Sequence, residues 1–228
     1  MIEIKAIVFD LYGTFYDVHS VAASCEAHFP QHGREISVLW RQKQLEYAWL
    51  RSLMAKYGNL EKATVDGLIY ACNHLHLDLD ASTRDSPCNE YLRVQPFPEV
   101  PAALRRLNAF GLPLAILSNG SVHSIKTVVQ NSGLDREFAH LISGDEVQIF
   151  KPHPRVYDLA ERSPRLQRTE ILFVSSNPGD ATGACHFGYP VCWVNRSDRC
   201  FDELGQRPDH VVTGLDAQEE WVEEMRTA

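Results

Sequence analysis

The sequence predicts an α/β fold: a doubly wound parallel sheet, interrupted after its first strand by an inserted helical cap subdomain. Three observations carry this expectation. Residues 4–9 form an apolar run broken only by Lys5, which suits a strand buried on both faces. Residues 18–93 contain no convincing strand and read as helix. From residue 96 onward short apolar strands alternate with helical stretches, the pattern of right-handed βαβ units.

The elements follow in order. The first strand ends abruptly at Asp10, and a turn containing Gly13 leads to Asp17. Residues 19–29 read as a short helix. Residues 36–57 read as a long one, because Ile36, Trp40, Tyr47, Leu50, Met54 and Tyr57 recur at helical spacing. Residues 61–77 and 83–93 complete the helical block. Pro96, Pro98 and Pro101 then punctuate the chain, and since proline is tolerated in a first helical turn, residues 99–110 form the next helix, stopped at Gly111. A strand at 114–117, a helix at 122–132 ending at Gly133, a short strand at 141–142 and a helix at 154–162 come next. Strand 171–174, helix 180–187 before Gly188, strands 191–194 and 210–212, and a final helix at 217–226 close the pattern. The expected division is an α/β core of residues 1–17 and 96–228 and a cap of residues 18–95. No internal repeat or low-complexity segment is visible.

Composition narrows the function. The chain has 228 residues, 44% hydrophobic and 23% charged, which is ordinary for a soluble protein. A formal net charge of -8 with no long run of one sign argues against a nucleic-acid partner. The six cysteines include no C-x-x-C pair, so zinc and redox spacings are absent. The N-terminus lacks a basic stretch followed by an apolar one, and no apolar run approaches the ~20 residues of a membrane span. A cytoplasmic protein with free thiols and no membrane partner is expected.

The chemistry collects at strand ends. In an open parallel sheet, ligands bind beyond the carboxyl ends of the strands. Asp10 stands at one such end, although an aspartate there also suits a turn cap. Leu117-Ser118-Asn119-Gly120-Ser121 follows a second strand, Phe150-Lys151-Pro152-His153-Pro154 opens a helix with Tyr157 one turn on, and Val174-Ser175-Ser176-Asn177-Pro178-Gly179-Asp180 follows another strand. Such ends converge on one edge of the sheet. A desolvated carboxylate can act as a nucleophile. Lys151 can supply its counter-charge, and Asp180 can orient or deprotonate a water.

These motifs resemble the haloacid dehalogenase superfamily, most closely its (S)-2-haloacid (L-2-haloacid, type II) dehalogenases, over nearly the whole chain. The carriers are Phe9-Asp10-Leu11-Tyr12-Gly13-Thr14, Trp40-Arg41-Gln42-Lys43-Gln44-Leu45-Glu46-Tyr47, Leu117 to Ser121, Phe150-Lys151-Pro152, and Ser175-Ser176-Asn177 through Asp180. The phosphatases of the superfamily carry Asp-x-Asp, where this chain has Tyr12 in the second acidic position. Ser175 and Asn177 stand where a metal-binding carboxylate is expected. Mg²⁺ favours hard oxygen ligands, so no metal or other cofactor is expected.

The resemblance implies a mechanism. Asp10 attacks C2 of an (S)-2-haloacid, halide leaves with inversion, and water attacks the carboxyl carbon of Asp10 to release an (R)-2-hydroxy acid. Arg41 assists the departing halide, although outside the resemblance it would read as a solvated arginine. Asn119 lies near the halide. Ser118 and the amides near Leu11 and Tyr12 hold the substrate carboxylate, and Lys151 offsets the negative charge. Thr14, Ser175, Asn177 and Asp180 position Asp10 and the water, with Tyr157 bonded to that network. Tyr12, Gln42 and Leu45 border the substrate side chain. Two positions depart from the family pattern: Gly179 replaces a tryptophan, and Leu60 replaces a phenylalanine. The alternative substrate is a non-halogenated 2-substituted acid, such as L-azetidine-2-carboxylate opened at its ring nitrogen. A phosphatase is disfavoured by Tyr12, and an idle binding protein by the complete set of polar residues. The family is commonly homodimeric, and the stripe along residues 36–57 suits that.

Overall fold

The computed structural model describes residues 3–162 and 166–217. Six parallel strands form the sheet: β1 (Ala6–Phe9), β2 (Leu114–Ser118), β3 (His140–Ser143), β4 (Ile171–Ser175), β5 (Val191–Val194) and β6 (His210–Val212), in the order β3-β2-β1-β4-β5-β6. The order reverses at β1, which pairs on one side with β2 and on the other with β4. Phe9 stands opposite both Ile116 and Val174. Asp10, the next residue, therefore leaves the sheet in the crevice where such folds bind ligands. All residues of β1, β2, β4 and β5 are buried, as their unbroken apolar runs require.

Helices α5 (Val100–Ala109), α6 (Val122–Asn131), α7 (Pro154–Glu161) and α8 (Pro178–Phe187) link the strands after the first. The two sheet faces carry separate cores. One contains Ile7, Phe9, Leu104 and Val128, and the other Val8, Val156, Tyr157 and Phe173. Between β1 and α5 lie α1 (Ala22–His28), α2 (Gly33–Leu53), α3 (Leu60–His74) and α4 (Ala81–Glu90), with α2 and α3 as the closest-packed pair. Trp40 is fully buried at their crossing and donates its indole N–H to the Thr64 carbonyl at 2.6 Å. Gly67 sits where a Cβ would lie 3.1 Å from Trp40 Cδ1 and 3.2 Å from Trp40 O, so its missing side chain sets the approach of the two helices.

Helix boundaries differ from the expected ones for local reasons. The long helix begins at Gly33 rather than 36, because the Glu26 carboxylate accepts from the Gly33 and Gln31 amides and satisfies its open first turn. It ends at Leu53, since Ala55 turns left-handed at φ 52°. The segment expected as helix 19–29 splits into a 3₁₀ turn at Val18–Val21 and α1. Helix α8 starts at Pro178, two residues early, because proline takes its first position after Asn177. The expected final helix at 217–226 lies almost wholly outside the described residues. Among the described residues no helix is long and apolar enough to cross a membrane.

Candidate active site

The ends of β1, β2 and β4 and the start of α7 bring their polar side chains to one point. Asp10 is only 6% exposed. Its Oδ1 accepts from Lys151 Nζ at 2.9 Å. Its Oδ2 accepts from Asn177 Nδ2 at 2.6 Å and from the Thr14 hydroxyl at 3.1 Å. Thr14 Oγ1 in turn accepts the Ser176 amide at 2.9 Å, which ties the first motif to the loop after β4. The half-buried Arg196 locks the same turn from behind, donating to the Thr14 carbonyl at 2.9 Å and pairing with Glu99 at 2.7 Å.

Lys151 is the hub. Its ammonium also donates to Asp180 Oδ2 at 2.8 Å and to the Leu117 carbonyl at 2.9 Å. Its backbone amide donates to Asn119 Oδ1 at 2.8 Å, so Asn119 fixes the loop that carries it. Burial alone would push the Lys151 pKa down, but Asp10 and Asp180 outweigh burial and hold it above the usual lysine value. Asp180 is further bonded by the Ser175 hydroxyl at 2.9 Å and the Tyr157 hydroxyl at 2.8 Å. Burial raises the Asp180 pKa, Lys151 pulls it back, and Asp10 pushes it up again; the outcome is a raised value. Tyr157 is fully buried, and burial followed by the charge of Asp180 drives its phenol well above the ordinary range. Among the described residues no group of three or more His, Cys, Asp or Glu side chains is placed to hold a metal ion. The ammonium of Lys151 fills the space between the two carboxylates.

A cavity of about 610 Å³ opens over Asp10. Of the expected residues, Tyr12, Arg41, Leu45, Leu60, Ser118, Asn119 and Gly179 line it together with Asp10, Lys151, Asn177 and Asp180. Thr14, Ser175 and Tyr157 stand behind the carboxylates they bond. Leu11 is fully buried beneath the turn and is not part of the wall. Gln42 does not border the cavity: it is exposed on α2. Arg41 and Leu45, four apart, share the inward face, and one residue's 100° rotation carries Gln42 off it. Arg41 is held by Gln44, whose Oε1 accepts from Nη1 at 2.6 Å while its amide donates to Thr64.

Several wall residues carried no signal in the sequence. Trp49, Ser52 and Leu53 come from the last turns of α2, and Asp202 and Leu204 from the loop between β5 and β6. Gln44, behind the wall, carried no signal either: its burial and its bonds to Arg41 and Thr64 appear only once α2 and α3 pack. Asp202 and Leu204 had none, because only the folded loop brings them opposite Gly179. A Cβ at Gly179 would meet nothing closer than Asp202 Oδ2 at 3.8 Å, so the missing side chain leaves space.

A six-stranded parallel sheet with an aspartate at the switch point, a lysine–aspartate pair beside it and a helical cap above defines a hydrolase of the haloacid dehalogenase superfamily. The family model for a haloacid dehalogenase-like hydrolase matches residues 4–188. An (S)-2-haloacid dehalogenase of Pseudomonas sp. (strain YL) is 59% identical over 214 residues, 94% of this chain and 92% of that protein. (S)-2-haloacid dehalogenase 2 of Pseudomonas sp. (strain CBS-3) is 57% identical over 216 residues, 95% of this chain and 94% of that one. Among solved structures, the L-2-haloacid dehalogenase of Xanthobacter autotrophicus with chloropropionic acid covalently bound superposes with a TM-score of 0.93 at 36% identity, covering 97% of this chain and 99% of that one. The chain belongs to the (S)-2-haloacid dehalogenase family.

Proposed function

We propose that this chain hydrolyses short (S)-2-haloacids to (R)-2-hydroxy acids through an ester on Asp10. The observation that carries the reading is the asymmetric bonding of the Asp10 carboxylate. Oδ2 is held by two donors, Asn177 and Thr14, whereas Oδ1, among the described residues, meets Lys151 alone and keeps a lone pair for attack. Oδ1 displaces halide from C2 with inversion, and the departing anion passes to Arg41, whose diffuse guanidinium suits a soft anion. Ser118 and the backbone of the turn hold the substrate carboxylate, and Tyr12, Leu45 and Leu60 enclose C2 and its substituent.

In the second step water attacks Cγ of Asp10 while Asp180 takes its proton. Charge develops on Oδ2, where the Asn177 amide and the Thr14 hydroxyl stabilise it. The Cγ–Oδ1 bond then breaks, the alkoxide takes a proton from Lys151, which recovers one from Asp180 across the 2.8 Å contact, and the second proton of the water leaves the Asp10 carboxyl for solvent, restoring the nucleophile. Ser175 and Tyr157 keep Asp180 aimed at the water. In this reading residues 18–95 act as the cap over a core of residues 1–17 and 96–228. The covalently bound chloropropionic acid in the Xanthobacter autotrophicus relative supports the ester.

The test is a single turnover of L-2-chloropropionate in ¹⁸O-water. Label in the peptide containing Asp10, with unlabelled first product, is the expected result. Label entering the product directly would overturn Asp10 as nucleophile. Gly179 favours a second reading on the same machinery, ring opening of L-azetidine-2-carboxylate, because the space it leaves is bordered by the Asp202 carboxylate, a partner for a ring ammonium. Brisk halide release with azetidine-2-carboxylate left untouched would eliminate that reading.

The exposed apolar side chains of α2, Val38, Leu50 and Leu53, with Met54 just beyond it, support a homodimer, checked by the mass in solution from light scattering. The six free cysteines support a cytoplasmic setting, where thiols stay reduced.

A further inference from the structure

The Asp10 carboxylate is only as well placed as the turn that carries Thr14, and that turn is gripped from outside the cavity. Arg196 follows β5 and is not among the residues that line the cavity. Its Nη2 donates to the Thr14 carbonyl at 2.9 Å, and its Nη1 reaches the Gly13 carbonyl at 3.4 Å. Thr14 is fully buried, and Gly13 sits at a left-handed φ of 90°. A carbonyl turned inward in such a place needs a donor, and Arg196 supplies it.

The guanidinium is anchored on the chain segment that returns before α5. Its Nε donates to Glu99 Oε1 at 2.8 Å, and Nη2 lies 2.7 Å from the same oxygen. Its central carbon stands 4.0 Å from the centre of the Phe97 ring, a cation–π contact. The Phe97 amide donates to the Phe15 carbonyl at 2.9 Å and the Asp17 amide to the Gln95 carbonyl at 3.4 Å, so residues 13–17 and 95–99 run side by side. Arg196 bonds to both segments. A planar guanidinium, with its donors in a fixed fork, can serve a carboxylate and two carbonyls at once. The base of the side chain is braced as well. The Asn195 amide donates to the Val212 carbonyl at 2.7 Å, and its side chain exchanges two 2.9 Å bonds with the Arg199 backbone.

We propose that Arg196 is a positioning residue for ester hydrolysis: anchored by Glu99 and Phe97, it holds the Gly13–Thr14 turn so that the Thr14 hydroxyl reaches Asp10 Oδ2. The inference rests on the ester mechanism proposed above, in which charge develops on Oδ2 in the second step, where Thr14 donates at 3.1 Å. Thr14 is fixed at two ends, at its hydroxyl by the Ser176 amide at 2.9 Å and at its carbonyl by Arg196. A hydrogen bond weakens steeply as its angle closes, so a small rotation of the released turn is enough to lose the bond to Oδ2. The same contacts also satisfy buried carbonyls, which is a structural role. The two roles separate, because positioning acts only through the Thr14 hydroxyl.

The experiment is a double-mutant cycle on single turnovers of L-2-bromopropionate in ¹⁸O-water, whose good leaving group keeps the first step fast. Halide release times displacement, and ¹⁸O entering the peptide that contains Asp10 times ester hydrolysis. The variants are Arg196→Met, Thr14→Val, which lacks the hydroxyl, and the two combined. Arg196→Met is expected to slow hydrolysis about tenfold in the otherwise unmutated chain, a fraction of the roughly 10²–10³-fold that loss of one oxyanion donor costs, and less than about twofold in the Thr14→Val background. Displacement should slow less than hydrolysis. Arg196→Lys, which keeps the charge opposite Glu99, should recover part of the rate, and it takes the place of Arg196→Met in the cycle if thermal unfolding shows that variant unfolded. An equal factor in both backgrounds, or no slowing in the otherwise unmutated chain, would overturn the positioning role and leave the ester mechanism standing. Absence of label from the Asp10 peptide of the unmutated chain would overturn the ester mechanism and this inference with it.

Discussion

At the scale of single residues, Lys151 decides whether the site holds together. It is the shared cation of two buried carboxylates, each within 2.9 Å of its ammonium. Lys151→Met would leave Asp10 and Asp180 facing each other with no counter-charge. Breaking a buried pair in this way costs about 3–5 kcal/mol of stability, and kcat should fall roughly 10²–10³-fold or more, measured by halide release and chemical denaturation. The pKa directions give a second prediction. In the proposed mechanism ester hydrolysis needs Asp180 ionised, and its pKa lies above the ordinary 3.8, so the acid limb of the single-turnover hydrolysis rate should lie above that pH. The Tyr157 hydrogen bond lowers the Asp180 pKa, so Tyr157→Phe should move the limb upward. Stability runs the opposite way for this group. The folded state binds the extra proton between 3.8 and the raised pKa, so the contribution of Asp180 falls as pH rises through that window. Lys151 contributes fully below its ordinary 10.5 and loses that contribution only as pH rises through its raised value. These residues were legible in the sequence because each is a polar group placed directly after an apolar strand or at a helix start. Gln44 and Arg196 were not, since their partners lie on elements whose packing no local pattern encodes.

At the scale of elements, the approach of α8 to α7 sets the position of Tyr157. Gly183 on α8 is the reason they meet: a Cβ there would lie 2.5 Å from both Pro152 Cβ and the Tyr157 hydroxyl. The hydroxyl could not then reach Asp180. Gly183→Ala should therefore cost about 1–3 kcal/mol from overpacking, and should slow ester hydrolysis more than halide displacement, because in the proposed mechanism Tyr157 serves the carboxylate that handles water. Accumulation of the Asp10 ester in rapid-quench mass spectrometry is the expected sign; equal slowing of both steps would point to a general collapse of the site. The strands were readable because burial on both faces writes them as unbroken apolar runs. Helix starts were less so. Nothing in residues 33–36 announces that a glutamate seven residues before Gly33 will cap the long helix, and the pairing depends on the fold of the turn between them.

At the scale of the whole molecule, cap and core close on each other through a few polar contacts around the cavity. The Phe150 amide donates to Ser52 Oγ at 3.1 Å, the Tyr57 hydroxyl donates to Asp145, and Glu61 accepts from Ser121 and Ser124. Between them lies the space of about 610 Å³, several times the volume of a three-carbon acid whose shell of first waters is removed. The cap supplies Leu45, Trp49 and Leu53 as one wall, and the opposite wall is open at Gly179. Gly179→Trp should complete that wall, since a Cβ there meets no atom closer than 3.8 Å. A tryptophan brings about 150–250 Å² of mostly apolar surface to the side of the substrate now bordered by Asp202. Two opposing consequences follow. Contact with the alkyl group and exclusion of water should favour L-2-chloropropionate, about 1 kcal/mol or a fivefold gain in kcat/KM at ~25 cal/mol per Å² of newly buried substrate surface. The same ring should occupy the room that a longer chain needs, so kcat/KM for L-2-bromohexanoate should fall. The ratio of the two specificity constants is the measurement, because it cancels any change in the fraction of active enzyme. A ratio that rises at least tenfold in the variant would place chain-length selection at position 179. An unchanged ratio would mean that the cap helix α2, and not the loop after β4, sets the length of substrate the cavity accepts.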